Sequence, residues 1–339
     1  MTWQEQSLPA DHPAVKSGGV GVLLVNLGTP DAPEKGPVKR YLAEFLSDRR
    51  VVEIPAIAWQ PILRGIILNT RPKKSAHAYR QVWTEEGSPL AVITRDQAAA
   101  MQQRLGDEVK VDWAMRYGTP SIPERIEALM AAGCERILLA PLYPQYSGAT
   151  TATVVDKAAD KLREMRWQAS LRTLPPYHDD PAYIDALASD LSRQIDALDF
   201  APEVLLLSFH GMPQRTLELG DPYHCHCQKT TRLLKERLGW DDTAITSTFQ
   251  SRFGPEEWLQ PYTVEEVARL AESGKKNIAV CAPAFSADCI ETLEEINEEI
   301  KEAFEEAGGE VFHYIPCLNA GEEHVTFLTD LIKENIQGW

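Results

Sequence analysis

With 339 residues, 44% of them hydrophobic and 25% charged, the chain is long enough for two ordinary domains, which excludes disorder and fibres. Fifty acidic against 34 basic residues leave a net charge of −16, which repels a phosphate backbone and argues against a nucleic-acid partner. The opening MTWQEQSLPADHPAVKSGG lacks the apolar core of a signal peptide, so a cytoplasmic chain without disulfides is expected.

In chain order, short β-rich apolar runs alternate with helical periods, the pattern of parallel sheets covered by helices. Strands are predicted near 20–27, 109–115, 136–142 and 168–174, then near 204–209, 244–249, 277–283 and 310–315. Three pieces of the first half return in order in the second: VLLVNLGTP as VLLLSFHGMP, MRYGTPSIPERIEAL as QSRFGPEEWLQPYTVEEV, and AGCERILLAPLYPQYS as SGKKNIAVCAPAFSAD. This repeat implies two similar α/β domains, 20–180 and 181–320, with a C-terminal helix at about 321–337 packing back on the first. The run 51–68 is long enough to cross a bilayer but carries Glu53, Gln60 and Arg64 and does not span one. Pro55 and Pro61 are expected to break it, leaving a partly uncovered apolar lip at about 48–75.

Sheets of this kind bind ligands beyond the carboxyl ends of their strands. There is no glycine-rich phosphate loop after a strand, no Walker lysine and no G-x-S-x-G elbow, which removes the usual nucleotide cofactors and a serine hydrolase. Instead, the apolar run LLLSF delivers His210 into a Gly and Pro turn, where the first half has Gly28, so the copies differ where chemistry would sit. Glu291 comes after another strand, at the head of a helix whose Glu291, Glu295, Glu298 and Glu302 form one expected stripe at α-helical spacing. A core histidine and a solvated acidic face are the structural alternatives. Facing each other across a cleft, an imidazole and a carboxylate ligate a divalent metal, move protons, or both. Arg71 and Lys74, just after the apolar run, would neutralise carboxylates of a large flat apolar ligand.

FHGMPQRTLELGDPYHC, TFQSRFGPEEWLQPYT, FSADCIETLEEI and HYIPCLN together resemble the ferrochelatases, proteobacterial type, from about Val22 to the C-terminus. The resemblance implies two Rossmann-like, chelatase-like domains, each a four-stranded parallel sheet flanked by helices, with a porphyrin cleft between them. It implies insertion of ferrous iron into protoporphyrin IX in haem biosynthesis, with Fe(II) as substrate and no required cofactor. It also implies that His210 and Glu291 are catalytic, that His210, Glu291 and Glu295 meet the metal, and that Arg71, Lys74, Tyr79, Ser88, Arg116, Tyr117, Tyr223 and Trp258 contact the porphyrin. Cys289 stands where some members carry His, and Leu27 where some carry Met or Tyr, so a metal route through those side chains is not implied. Alternatives are a chelatase for coproporphyrin or another tetrapyrrole, or a tetrapyrrole or metal carrier.

Some ferrochelatases bind a two-iron two-sulfur cluster through four cysteines. Cys225 and Cys227 would need two more ligands from Cys134, Cys281, Cys289 or Cys317, the C-terminal cysteine group is absent, and Gly148 replaces another ligand. Surface cysteines beginning a helix are the preferred reading. With no coiled-coil or dimer stripe, the chain is expected to be a monomer, soluble or peripheral at the inner membrane through its lip.

Overall fold

The computed structural model describes residues 18–241 and 243–339; the segment read as lacking a signal peptide lies almost wholly outside them. Eight strands, β1 Gly19–Gly28, β2 Val109–Tyr117, β3 Cys134–Pro141, β4 Ser170–Thr173, β5 Val204–His210, β6 Ile245–Gln250, β7 Asn277–Cys281 and β8 Val311–Tyr314, fall where the apolar runs predict them. They form two four-stranded sheets of identical order, β2-β1-β3-β4 and β6-β5-β7-β8, with every pairing parallel. Val22, Leu23, Leu24 and Val25 are all fully buried rather than alternating, because helices cover both faces of the sheet.

The internal repeat extends to backbone detail. In each half the turn after the second strand in chain order carries a cis X-Pro peptide, Thr119–Pro120 and Gln260–Pro261. The carbonyl of each proline accepts a backbone bond from the strand, from Met115 at 2.7 Å and from Phe249 at 2.9 Å. Helix Ile122–Ala131 then begins on a capping box of Ser121 and Glu124.

The halves share their largest apolar core: Val22, Leu24 and Leu138 of the first sheet belong to one buried cluster with Leu205, Leu207 and Ala279 of the second. Tyr177, Tyr183 and Phe327 join them, with Tyr177 5.4 Å from the Tyr183 ring and 5.5 Å from Phe327. Helix Glu322–Asn335 lies against helix Pro89–Leu105 of the first half and helix Pro181–Asp196.

Two expectations are corrected. Pro61 does not break its segment: helix Ala56–Ile62 continues through a π-helical turn, Leu63–Ile67, into helix Leu68–Val82, which contains Pro72. Pro61 sits in the second turn, where it deletes one early backbone bond, and Pro55 lies at the N-cap. The acidic helix is also not α-helical at its start. Residues Glu291–Ile300 form a π-helix, and only Lys301–Glu306 is α-helical. Bonds from i to i+5 make each turn wider, so the α-helical acidic stripe does not form. Among the described residues no helix is long and apolar enough to cross a membrane.

Candidate active site

His210 is the last residue of β5, and Gly28 the last of β1, so the asymmetry between the repeats lies at equivalent strand ends. The His210 ring is half-buried, with its Nδ1 2.7 Å from the Gly211 carbonyl. Because that oxygen only accepts, Nδ1 carries the hydrogen, which leaves Nε2 as the ring atom free to take up or release a proton. The turn beyond is tight. A Cβ on Gly211 would lie 2.5 Å from the Gln250 carbonyl and 3.1 Å from the Trp258 ring, so only glycine lets these groups close over the strand end.

Gln250 ties His210 to the acidic helix. It pairs with His210 in the β5–β6 ladder, and its Oε1 accepts from Ser208 Oγ at 2.7 Å. Its Nε2 donates to the Glu291 carbonyl at 2.8 Å and to Glu295 Oε2 at 3.1 Å. Ser251, in the left-handed backbone region at φ 62, donates its backbone N–H to Glu295 Oε1 at 2.6 Å. Burial pushes the Glu295 carboxyl up on balance, while the Ser251 bond and the His210 ring in its protonated form oppose the rise. Glu295 therefore sits near the imidazole at the end of β5.

Glu291 is half-buried and faces the first half. Burial, followed by the Glu291 charge, raises both the Tyr79 phenol and the Cys289 thiol well above their ordinary values. Leu27 of the first sheet packs with Cys289 and Phe285 of the segment after β7, at the seam beside Glu291. Glu294, which sequence reasoning did not single out, is raised to about 7 by burial and then by Glu299, Glu298 and Glu295, against the opposing charge of Lys74. Among the described residues no group of three or more His, Cys, Asp or Glu side chains is arranged to hold a metal ion, so His210, Glu291 and Glu295 do not form a ready-made cage.

The remaining candidates divide by exposure. Arg71 stacks its guanidinium 4.1 Å over the Phe253 ring, and Lys74 lies 3.6 Å from Glu299, both exposed beside the lip. Ile57 is 89% and Ile66 58% exposed, so the lip does present uncovered apolar side chains. Tyr79 and Ser88 are buried, Ser88 accepting from Thr29 Oγ1 at 2.8 Å. The buried Tyr223 starts helix Tyr223–Leu238, while Trp258 is half-buried and its indole N–H has no partner among the described residues.

Arg116 and Tyr117 end β2 and are bound to Asp48. Arg116 forms an ion pair with Asp48 and donates to Thr153 Oγ1 at 2.7 Å, and the Tyr117 hydroxyl donates to Asp48 at 2.9 Å. Burial opposes the charge on Asp48, but bonds from Thr153, the Arg50 backbone and Tyr117, with the charge of Arg116, hold its carboxyl below the ordinary value. A cavity of about 830 Å³ opens beside this group, lined by Arg116, Asp48, Leu63 and Leu68 among others, and reaches neither His210 nor Glu291.

All six cysteines are free. Cys225 is exposed in the first turn of its helix, but Cys227, expected at the surface, is fully buried. Two positions on an α-helix differ by more than half a turn, so one thiol faces out when the other faces the core.

A ferrochelatase family model matches residues 19–336. The chain is 57% identical over 343 residues to a ferrochelatase of Rhizobium leguminosarum, with both chains fully covered. It is 57% identical over 338 residues to that of Rhodobacter capsulatus, covering 98% of this chain and 96% of that one. Among solved structures, SirB from Bacillus subtilis with Fe3+ aligns with a TM-score of 0.56 at 11% identity, covering 94% of this chain and 96% of that one, a likeness of fold alone. Matched by its family model across both sheets, and more than half identical to these relatives from end to end, the chain belongs to the ferrochelatase family.

Proposed function

We propose that this chain is a lyase that inserts ferrous iron into protoporphyrin IX to give protohaem, the terminal step of haem biosynthesis. The observation that supports the reading is His210 at the carboxyl end of β5 and Glu291 at the head of the π-helix that follows β7, linked through Gln250, in a chain of this family. Four iron–nitrogen bonds form, two pyrrole N–H bonds break, and nothing is oxidised. Two protons must therefore leave. The Nε2 of His210 takes them one at a time as general base, giving up the first before it accepts the second, and Glu291 and Glu295 meet the iron or pass protons outward along the π-helix. A macrocycle held bent in the seam exposes its nitrogen lone pairs at a strain of roughly 1–5 kcal/mol, drawn from contacts with Trp258, Tyr223 and the lip.

In this reading Arg71 and Lys74 hold the propionates at the cleft mouth, with Lys74 exchanging Glu299 for a carboxylate of the ligand. Tyr79, Ser88, Arg116 and Tyr117 form the inner wall. The chain needs no resident cofactor, and Cys225 and Cys227 hold no cluster. Residues 20–180 and 181–320 are its two domains, with the C-terminal helix returned to the first. A cytoplasmic monomer touches the inner membrane peripherally through Ile57 and Ile66.

Anaerobic turnover with Fe(II) and either protoporphyrin IX or coproporphyrin tests the reading. His210→Ala and Glu291→Gln should each bind porphyrin and melt near the wild type, while turnover falls by about 10²–10⁴. The double variant should be little worse than the poorer single one, since both serve one step. Wild-type turnover in either variant removes that residue from the mechanism. Preference for coproporphyrin changes the substrate, and tight haem retention without repeated turnover identifies a carrier.

A further inference from the structure

The segment between β7 and the π-helix is held by a pair, the buried Asp288 and the half-buried Asn319, that metal insertion and proton transfer do not use. Asp288 is 5% exposed and, among the described residues, has no basic partner; its carboxylate is satisfied by neutral donors. Oδ1 accepts from Thr292 Oγ1 at 3.0 Å and from the Tyr314 hydroxyl, and Oδ2 accepts from Asn319 Nδ2 at 2.7 Å. In return the Asp288 backbone N–H donates to Asn319 Oδ1 at 2.8 Å. Asn319 thus uses both ends of its amide on one residue. It also holds the left-handed backbone conformation, φ 49, which asparagine tolerates better than most side chains.

From this pair the bonding runs both ways. Toward the site, Thr292 Oγ1 accepts from the Cys289 backbone at 3.0 Å, closing the first turn of the helix on either side of Glu291. Toward the first half, Gln97 on helix Pro89–Leu105, fully buried, donates to the Asn319 carbonyl at 3.0 Å and to the Ser286 carbonyl at 2.9 Å. The segment that presents Glu291 is therefore fastened to the opposite half of the cleft, and not only to its own sheet.

We propose that Asp288 and Asn319 are a positioning pair that fixes Glu291 against the first half of the molecule. The proposal rests on the catalytic reading of Glu291. Displacing a reacting group by about 1 Å can cost roughly 100-fold in rate, so the pair acts on turnover more than on binding.

Exchange of the partners is the test. Asp288→Asn sets an amide donor against the Asn319 donor, and Asn319→Asp sets carboxylate against carboxylate. The double exchange restores a donor–acceptor contact in the reverse direction and leaves acceptors for Thr292, Tyr314 and the backbone N–H. Each single variant should lose about 10- to 100-fold in kcat for porphyrin metalation while porphyrin Kd, read by fluorescence quenching, stays within about threefold. The double exchange should recover kcat to within about threefold of wild type. Wild-type kcat in both single variants overturns the proposal, as does a loss that follows Tm and Kd together, or an exchange that restores Tm but not kcat. A wild-type chain that metalates no porphyrin overturns the chelatase reading and the positioning role with it.

Discussion

Gly211 shows how one missing side chain sets the geometry of the strand end that carries His210. The Gln250 carbonyl approaches within 2.5 Å of where its Cβ would stand, and the Trp258 ring within 3.1 Å, while neither contact is with a flexible tip. Gly211→Ala must therefore move the backbone beside the imidazole, and a destabilisation of about 1–3 kcal/mol is expected, as for overpacked cores. Gly65 is the control. It lies exposed in the π-helical turn with no atom within 4 Å of its Cβ position, so Gly65→Ala should be neutral or gain up to about 1 kcal/mol. Urea unfolding of the two variants checks the contrast, and equal stabilities would show that the strand-end turn yields more readily than its contacts indicate.

The π-helix Glu291–Ile300 is the element least visible in the amino-acid pattern. Apolar periodicity locates a helix there but does not report the width of its turns. With i to i+5 bonding, Glu295 turns toward Gln250 and Ser251, Glu298 meets Gln81 at 2.9 Å, and Glu299 meets Lys74. Glu294 is left among like charges with a carboxyl raised to about 7, and the Lys74 ammonium is the charge that opposes the rise. Lys74→Met should therefore move the Glu294 midpoint further up, measurable by carbon-13 NMR of labelled glutamate; an unmoved midpoint would remove Lys74 from this balance. The strands and the repeat were legible because Val22 to Val25 and Val204 to Leu207 are uninterrupted apolar runs that only a doubly covered sheet buries. The positions of His210 at the end of β5 and Glu291 beyond β7 were legible because they follow such runs. Gln250, Asp288 and Asn319 were not, since a buried polar residue announces itself only through partners that are distant in sequence, from 31 to 42 positions away for Asp288–Asn319 and Ser208–Gln250. Cys227 was misplaced for a related reason, because closeness to the exposed Cys225 says nothing about which way a helix face turns.

At the scale of the whole molecule, buried histidines at the contacts between the halves are expected to make those contacts sensitive to acid. His178, just before helix Pro181–Asp196, stacks on His226 of helix Tyr223–Leu238 with ring centroids 3.6 Å apart, and His226 Nδ1 accepts from the Tyr146 backbone of the first half at 3.2 Å. His324, on the C-terminal helix that touches both halves, has Nδ1 2.7 Å from the Asn319 carbonyl. Burial lowers both His178 and His324 to about 4, with the charges of His226 and Lys229 adding to the shift of His178 against Asp179. Above the ordinary value of 6.5 both rings are neutral whether the chain is folded or not. Between 6.5 and about 4 the unfolded chain takes up protons that the folded one refuses, so each ring removes up to about 1.4 kcal/mol of stability per pH unit as pH falls. Glu294 acts with the opposite sign from about 7 down to 4.5, where the folded carboxyl holds a proton the unfolded one has released. The wild-type acid limb therefore mixes opposing groups, and a difference between variants is needed to isolate one. His324→Asn keeps an N–H for the Asn319 carbonyl but cannot titrate, at the expense of a small cavity that makes it the less stable protein at pH 7. That deficit should shrink on acidification toward pH 4 by up to about 1.4 kcal/mol per unit, as wild type loses what His324 contributes and the variant does not. Denaturant unfolding of both proteins across this range decides the matter: parallel stability curves would mean that His324 takes up its proton equally well in the folded molecule, and that its burial at the junction does not make the halves acid-sensitive.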